Sequence, residues 1–153
     1  MMSELVKRQF ELGRRNLLND IEGTATELFD VQPEGLSNTI HWQLGHILTG
    51  AEGFLFGAEG QLSAEYNELF GYGSKPSAWQ DEVPSVETLI QQLKSQLERI
   101  KEIPNERFQD QLSEPVLGNS TYGELVSFTA FHELTHIGQV HTMKRLAETS
   151  LNK

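Results

Sequence analysis

Between Thr129 and Leu146 the chain reads TAFHELTHIGQVHTMKRL and holds three of its five histidines. Within it, His132-Glu133-Leu134-Thr135-His136 has the H-E-x-x-H spacing. On a helix, two histidines four residues apart lie one above the other, offset by about 40°, and can chelate one metal ion through two nitrogens. His141 falls about 180° from His132 and cannot join them. A third ligand must come from His41 or His46 in NTIHWQLGHILTGAEGF. These two are about 140° apart, so a straight helix cannot aim both at one ion. His46 shares a stripe with Trp42, Gly50 and Gly53, and two glycines beside an inward histidine leave open volume. His41 shares its angle with Glu52, which predicts a solvent-facing position. His46 is therefore the favoured third ligand. A single buried histidine is more often a hydrogen-bonded core residue than a ligand. Three imidazoles without partners are costly to bury, which favours a metal centre.

The same spacing marks zinc proteases, whose glutamate must reach the water activated by the metal. Here Glu133 sits about 100° from His132 and is expected to face away. The seventeen residues after His136 offer only His141 and Glu148 as further ligands. The longer H-E-x-x-H-x-x-G-x-x-H pattern is missed by one residue, since the glycine and histidine stand at Gly138 and His141. No strand that would hold a peptide substrate is evident, and the protease reading is disfavoured.

Positioning such a site requires helices, and four are predicted. Leu5, Phe10, Leu17, Leu18, Ile21, Leu28 and Phe29 give an amphipathic segment from Ser3 to about Phe29. Pro33 and Gly35 break it, and Ser37 or Asn38 is expected to cap a second helix running to about Phe56. Ser85 is expected to cap a third, whose stripe runs Val86, Leu89, Ile90, Leu93, Leu97, Ile100 and Ile103 until Pro104. Thr121-Tyr122-Gly123-Glu124 has the form of a capping box opening a fourth helix, to about Thr149. The connection from Gly57 to Pro84 carries Tyr66, Phe70, Tyr72 and Trp79. It is expected to be a pinned surface loop or a pocket lid, with SAEYNELF as a short helix. No segment alternates apolar and polar residues convincingly. The expectation is an all-α four-helix bundle forming a single domain over residues 1–153.

Bulk composition narrows the partners. Twelve basic against twenty-two acidic side chains give a net charge of −10, which repels phosphate backbones and anionic lipid, so neither nucleic acid nor membrane is an expected partner. There is no cysteine, which excludes disulfides, thiolate metal sites and a cysteine nucleophile. The charged N-terminus lacks an apolar signal core, and a cytoplasmic protein is expected.

WQLGHILTGAEGFLFG and FHELTHIGQV resemble the two signature segments of the DinB/YfiT-like superfamily. The first has the Trp-x-x-x-His form at Trp42 and His46. The second has the His-x-x-x-His-x-Gly-Gln form at His132, His136, Gly138 and Gln139. The resemblance implies an up-down-down-up bundle, usually dimeric. It also implies a divalent metal ion, zinc or nickel in most cases, held by His46, His132 and His136. Some members of the family are thiol S-transferases or thiol-dependent isomerases. The expected chemistry is therefore a metal-dependent transferase acting on a small-molecule thiol and an electrophile. Gln139 is expected to orient a water or a ligand histidine, or to make an interhelical hydrogen bond. The alternatives are a non-catalytic metal or small-ligand binding protein and a metal-dependent hydrolase.

Overall fold

The computed structural model describes residues 1–80 and 82–151. Asp81, in the expected 57–84 connection, and Asn152 and Lys153, at the end of the expected domain, lie outside the described residues. The described residues are mostly helical, with five α-helices among them: α1 (Met2–Glu22), α2 (Ile40–Phe56), α3 (Glu65–Phe70), α4 (Val86–Lys101) and α5 (Tyr122–Leu151). A small antiparallel hairpin, β1 (Gln111–Val116) and β2 (Asn119–Thr121), precedes α5.

Helix starts follow side-chain chemistry. Ser85 accepts from the Thr88 amide at 3.1 Å, as expected. At α5 the Glu124 amide donates to Thr121 Oγ1 at 3.1 Å, and Glu124 Oε2 accepts from the Ser120 amide at 2.7 Å, closing the capping box. The cap of α2 is Thr39, which accepts from the Trp42 amide at 3.1 Å, rather than Ser37 or Asn38. The first helix ends at Glu22, not near Phe29. A 3-10 turn at Thr26–Leu28 then carries Leu28 and Phe29 back into the core.

The hairpin corrects the expectation of a chain without strands. Its strands are short and mostly exposed, and Pro115 interrupts β1, so the period-two signal is weak. Leu117 and Gly118 both have positive φ, 50° and 83°, as a tight hairpin turn requires. The long connection does contain the short helix α3. Tyr66 and Phe70 are buried and Trp79 is half-buried, while Tyr72 is fully exposed. Gly45 makes this packing possible, because a Cβ there would collide with the Phe70 ring.

Two apolar clusters fill the interior, one around Leu44, Ile47, Phe70, Leu89 and Val140, the other around Phe10, Leu55, Ile100 and Val126. The expected α4 stripe lies in this interior, with Val86, Leu89, Leu93, Ile100 and Ile103 all buried. Burying it removes most of the apolar area α4 would offer a partner. Residue pairings connect the four long helices. Arg14 meets Leu93 and Gln96 on α4 and Glu133 on α5, and Asp20 meets His141. Gln96 meets Leu48 and Glu52 on α2, and Tyr122 reaches Leu55.

Candidate metal centre

His46 projects from α2, and His132 and His136 project from α5. Their ring centroids lie 5.2 Å (His46–His132), 4.4 Å (His46–His136) and 4.6 Å (His132–His136) apart. One nitrogen from each falls within 4.8 Å of the others, so the group could hold a metal ion. Among the described residues no other set of three metal-ligating side chains is assembled in this way.

Hydrogen bonds fix two of the three rings. His46 Nδ1 lies 2.7 Å from the Phe70 carbonyl oxygen, which can only accept. Nδ1 therefore carries the proton and Nε2 keeps its lone pair. His136 Nδ1 lies 2.7 Å from Gln43 Oε1. Gln43 in turn donates from Nε2 to Asn38 Oδ1 at 3.1 Å and Gln139 Oε1 at 2.9 Å, so its carbonyl faces the imidazole. Such outer partners set the tautomer that a metal-binding histidine needs. Trp42 stacks on His46 at 4.5 Å, and Phe54 and Phe128 flank His132.

All three imidazoles are held neutral. Burial lowers the pKa of His46. Burial and the neighbouring His46 lower that of His132. Burial, followed by the fields of His46 and His132, brings His136 down to about 4. Neutral nitrogens converging in a cleft, two with their other nitrogen already donating, are the donor set that zinc and its neighbours take. The residues present therefore fit a divalent ion.

The remaining candidates lie elsewhere. His141 is exposed and bonds Asp20 at 3.0 Å. His41 is buried rather than solvent-facing, with Asp30 Oδ1 2.9 Å from Nδ1 and the Pro84 carbonyl 2.7 Å from Nε2. Glu52, at the same angle, is also buried, bonded to Arg99 and Gln96. Polar partners on α4 and in the connection override what helical angle alone suggests. The buried line of α5 includes Leu125, Thr129, Glu133, Ile137, Val140 and Met143, while Thr135 and Gln139 are exposed. The two histidines border this line and open onto a cleft. Glu133 is 1% exposed, and its carboxylate is held by Arg14 at 2.7 and 2.8 Å. That carboxylate is committed to Arg14 and turned away from the histidines, as expected.

Gln43 is the site residue that sequence reasoning misses. Its signal is present in principle: it is a polar residue in the largely apolar run HWQLGHIL, three positions before His46. Gln139 accepts from Gln43 and also bears on His136 itself, raising its pKa against the larger effect of burial.

The DinB superfamily profile matches residues 9–140. No protein with a curated description matches the chain in sequence. Among solved structures, a conserved protein from Enterococcus faecalis superposes with a TM-score of 0.71 at 13% identity, over 96% of this chain and 97% of that one. At that identity the likeness is one of fold.

Proposed function

The chain belongs to the DinB superfamily, and from that premise we propose that it is a metal-dependent transferase joining a low-molecular-weight thiol to an electrophile. The observation that carries the reading is the trio of neutral imidazoles whose nitrogens converge within 4.8 Å in an accessible cleft. His46, His132 and His136 would hold a zinc or nickel ion and leave coordination positions open. When bound, the ion would supply the positive charge that ionises a thiol below its free pKa of about 8.5.

The chain's own residues do the rest. Burial keeps the imidazoles neutral, the Phe70 carbonyl and Gln43 orient His46 and His136, and Phe54 and Phe128 exclude water beside His132. In the reaction the S–H proton passes to solvent. The sulfur lone pair then forms a bond to the electrophilic carbon, and any displaced group leaves with its bonding electrons. The chain has no cysteine, so the thiol is a co-substrate. Such thiols are kept reduced in the cytoplasm, which is the expected compartment.

An up-down-down-up bundle forming one domain belongs to the same proposal. It is supported by the pairings of Arg14 with Gln96 and Glu133, Asp20 with His141, and Gln96 with Leu48. A homodimer is also proposed, through exposed Phe131 and Leu134 on the outer face of α5, since α4 spends its stripe internally.

The test is to incubate zinc- or nickel-loaded protein with a panel of small thiols and a generic electrophile, following thiol consumption. Acceleration that disappears in His132→Ala supports the proposal. No acceleration with either metal favours a non-catalytic binding protein. Ester cleavage without thiol consumption favours a hydrolase.

A further inference from the structure

Two of the three histidines, His46 and His132, line both of two cavities whose walls differ. One, of about 630 Å³, is lined by His46 and His132 together with Gly50, Gly53, Phe54 and Phe128, and its lining includes no charged side chain. The other, of about 430 Å³, meets all three histidines and is walled by Ser37, Asn38, Ser74 and Lys75. Tyr72, fully exposed, borders both. Among the described residues, Lys75 is the one charged residue lining either cavity, in a chain of net charge −10. A lone cation beside neutral imidazoles, on an otherwise acidic molecule, favours a small anion there.

Two further observations point to an occupant of the apolar cavity. Thr49 lines it and is 7% exposed, yet its hydroxyl has no hydrogen-bond partner among the described residues. A buried hydroxyl without a partner is costly unless a ligand accepts from it. Leu117 also lines this cavity, exposed at 67% and held at φ 50°. The hairpin turn sets that φ, and it leaves an apolar side chain exposed at the rim of the cavity.

We infer that the two co-substrates reach the histidines from separate sides. A neutral, largely apolar electrophile with one hydrogen-bond acceptor occupies the cavity beneath Phe54, Phe128 and Thr49. A small thiol bearing one negative group occupies the cavity beside Lys75. The inference rests on the transferase reading for the identity of the two ligands. Its geometry predicts something that reading does not specify: each ligand is sensitive to a different wall.

The experiment measures binding to zinc-loaded protein by calorimetry. Mercaptoacetate is the anionic thiol, and nitrobenzene and toluene are unreactive apolar probes. Substitutions are placed where they leave the core intact. Lys75 and Gly53 are exposed, and nothing lies within 4 Å of a Cβ added at Gly53. Lys75→Ala should weaken mercaptoacetate by roughly threefold, as loss of one partly screened charge does, and leave nitrobenzene unchanged. Gly53→Leu should weaken nitrobenzene by about tenfold or more and leave mercaptoacetate unchanged. Thr49→Val should erase any preference for nitrobenzene over toluene. Saturation with one ligand should not displace the other.

Mutual displacement, or equal sensitivity of both ligands to Lys75→Ala and Gly53→Leu, would overturn the two-sided arrangement, as would failure of mercaptoacetate to bind. Independent binding without any thiol transfer would uphold the arrangement and defeat the transferase reading. Transfer with mutually exclusive ligands would do the reverse.

Discussion

Adjacent residues of α5 lead into two polar clusters that behave in opposite ways. Glu133 joins a buried network in which Arg14 bonds both its oxygens, the Leu93 carbonyl and Gln96 Oε1. Gln96 passes on to Glu52, which Arg99 and the Gln61 amide also hold. Every charged group there has an opposite charge or a dipole against it. Burial alone would push the Glu52 carboxyl up, but Arg99, the Gln61 amide and Gln96 together hold it below its ordinary value. His132, one residue earlier, belongs to a cluster of three like groups whose pKa values burial lowers, with His46 lowering the other two further, and which present nitrogens to a shared space. The first cluster is closed and holds four elements together. The second is open, and what would complete it is a cation. Burial of polar groups therefore does not by itself mark a site; incomplete mutual satisfaction does.

Removing one partner from each cluster should separate them most sharply. Glu133→Ala leaves Arg14 buried without its carboxylate and is expected to lower folding stability by about 3–5 kcal/mol, read from the urea midpoint at constant slope. Folded protein that remains should still bind metal. An undiminished midpoint would mean that the closed network contributes nothing. His136→Ala should act conversely, abolishing tight divalent-metal binding at neutral pH while leaving the metal-free unfolding midpoint near wild type. His141→Ala serves as the control with full retention. Equal metal retention in the two histidine variants would break the assignment.

Finer tests address what holds the open cluster in shape. Gln43→Ala removes the acceptor that fixes the His136 tautomer and should weaken metal binding by about 10- to 100-fold. Gln139→Ala leaves that acceptor in place and should cost less. A larger effect at Gln139 would mean that Gln139, rather than Gln43, orients His136.

Acid should also distinguish the clusters in the metal-free protein. Unfolded histidines protonate near 6.5, whereas the folded trio stays neutral to lower pH, His136 down to about 4. The unfolded state therefore binds more protons between those values, and stability must fall as pH drops from about 6.5 towards 4. The Glu52 contribution is present above its unfolded value of 4.5 and is lost only as pH falls further, through its lowered folded value. The smallest expected effect is thus a loss of Tm beginning below pH 6.5, reduced in His136→Phe. A Tm flat to pH 4.5 would remove the histidines from the balance.

The sequence by itself determined the periodic and local parts of this protein. It gave the four long helices, the caps at Ser85 and Thr121, and the short helix in the 57–84 connection. It also gave the spacing that sets His132 and His136 on one side of α5 and Glu133 on another. These follow from neighbours along the chain, where helical geometry is nearly invariant. Tertiary structure decided which polar residues are buried, because that depends on partners far away in sequence. His41 and Glu52 share an angle that suggests solvent, yet Asp30, Pro84, Arg99 and Gln96 enclose them. Gln43 becomes a site residue only because α5 brings His136 to it across 93 positions. The hairpin escaped notice because its few exposed residues carry almost no hydrophobic period. The two cavities arise where the connection after α3 and the hairpin turn meet the histidine face, a juxtaposition no local pattern encodes.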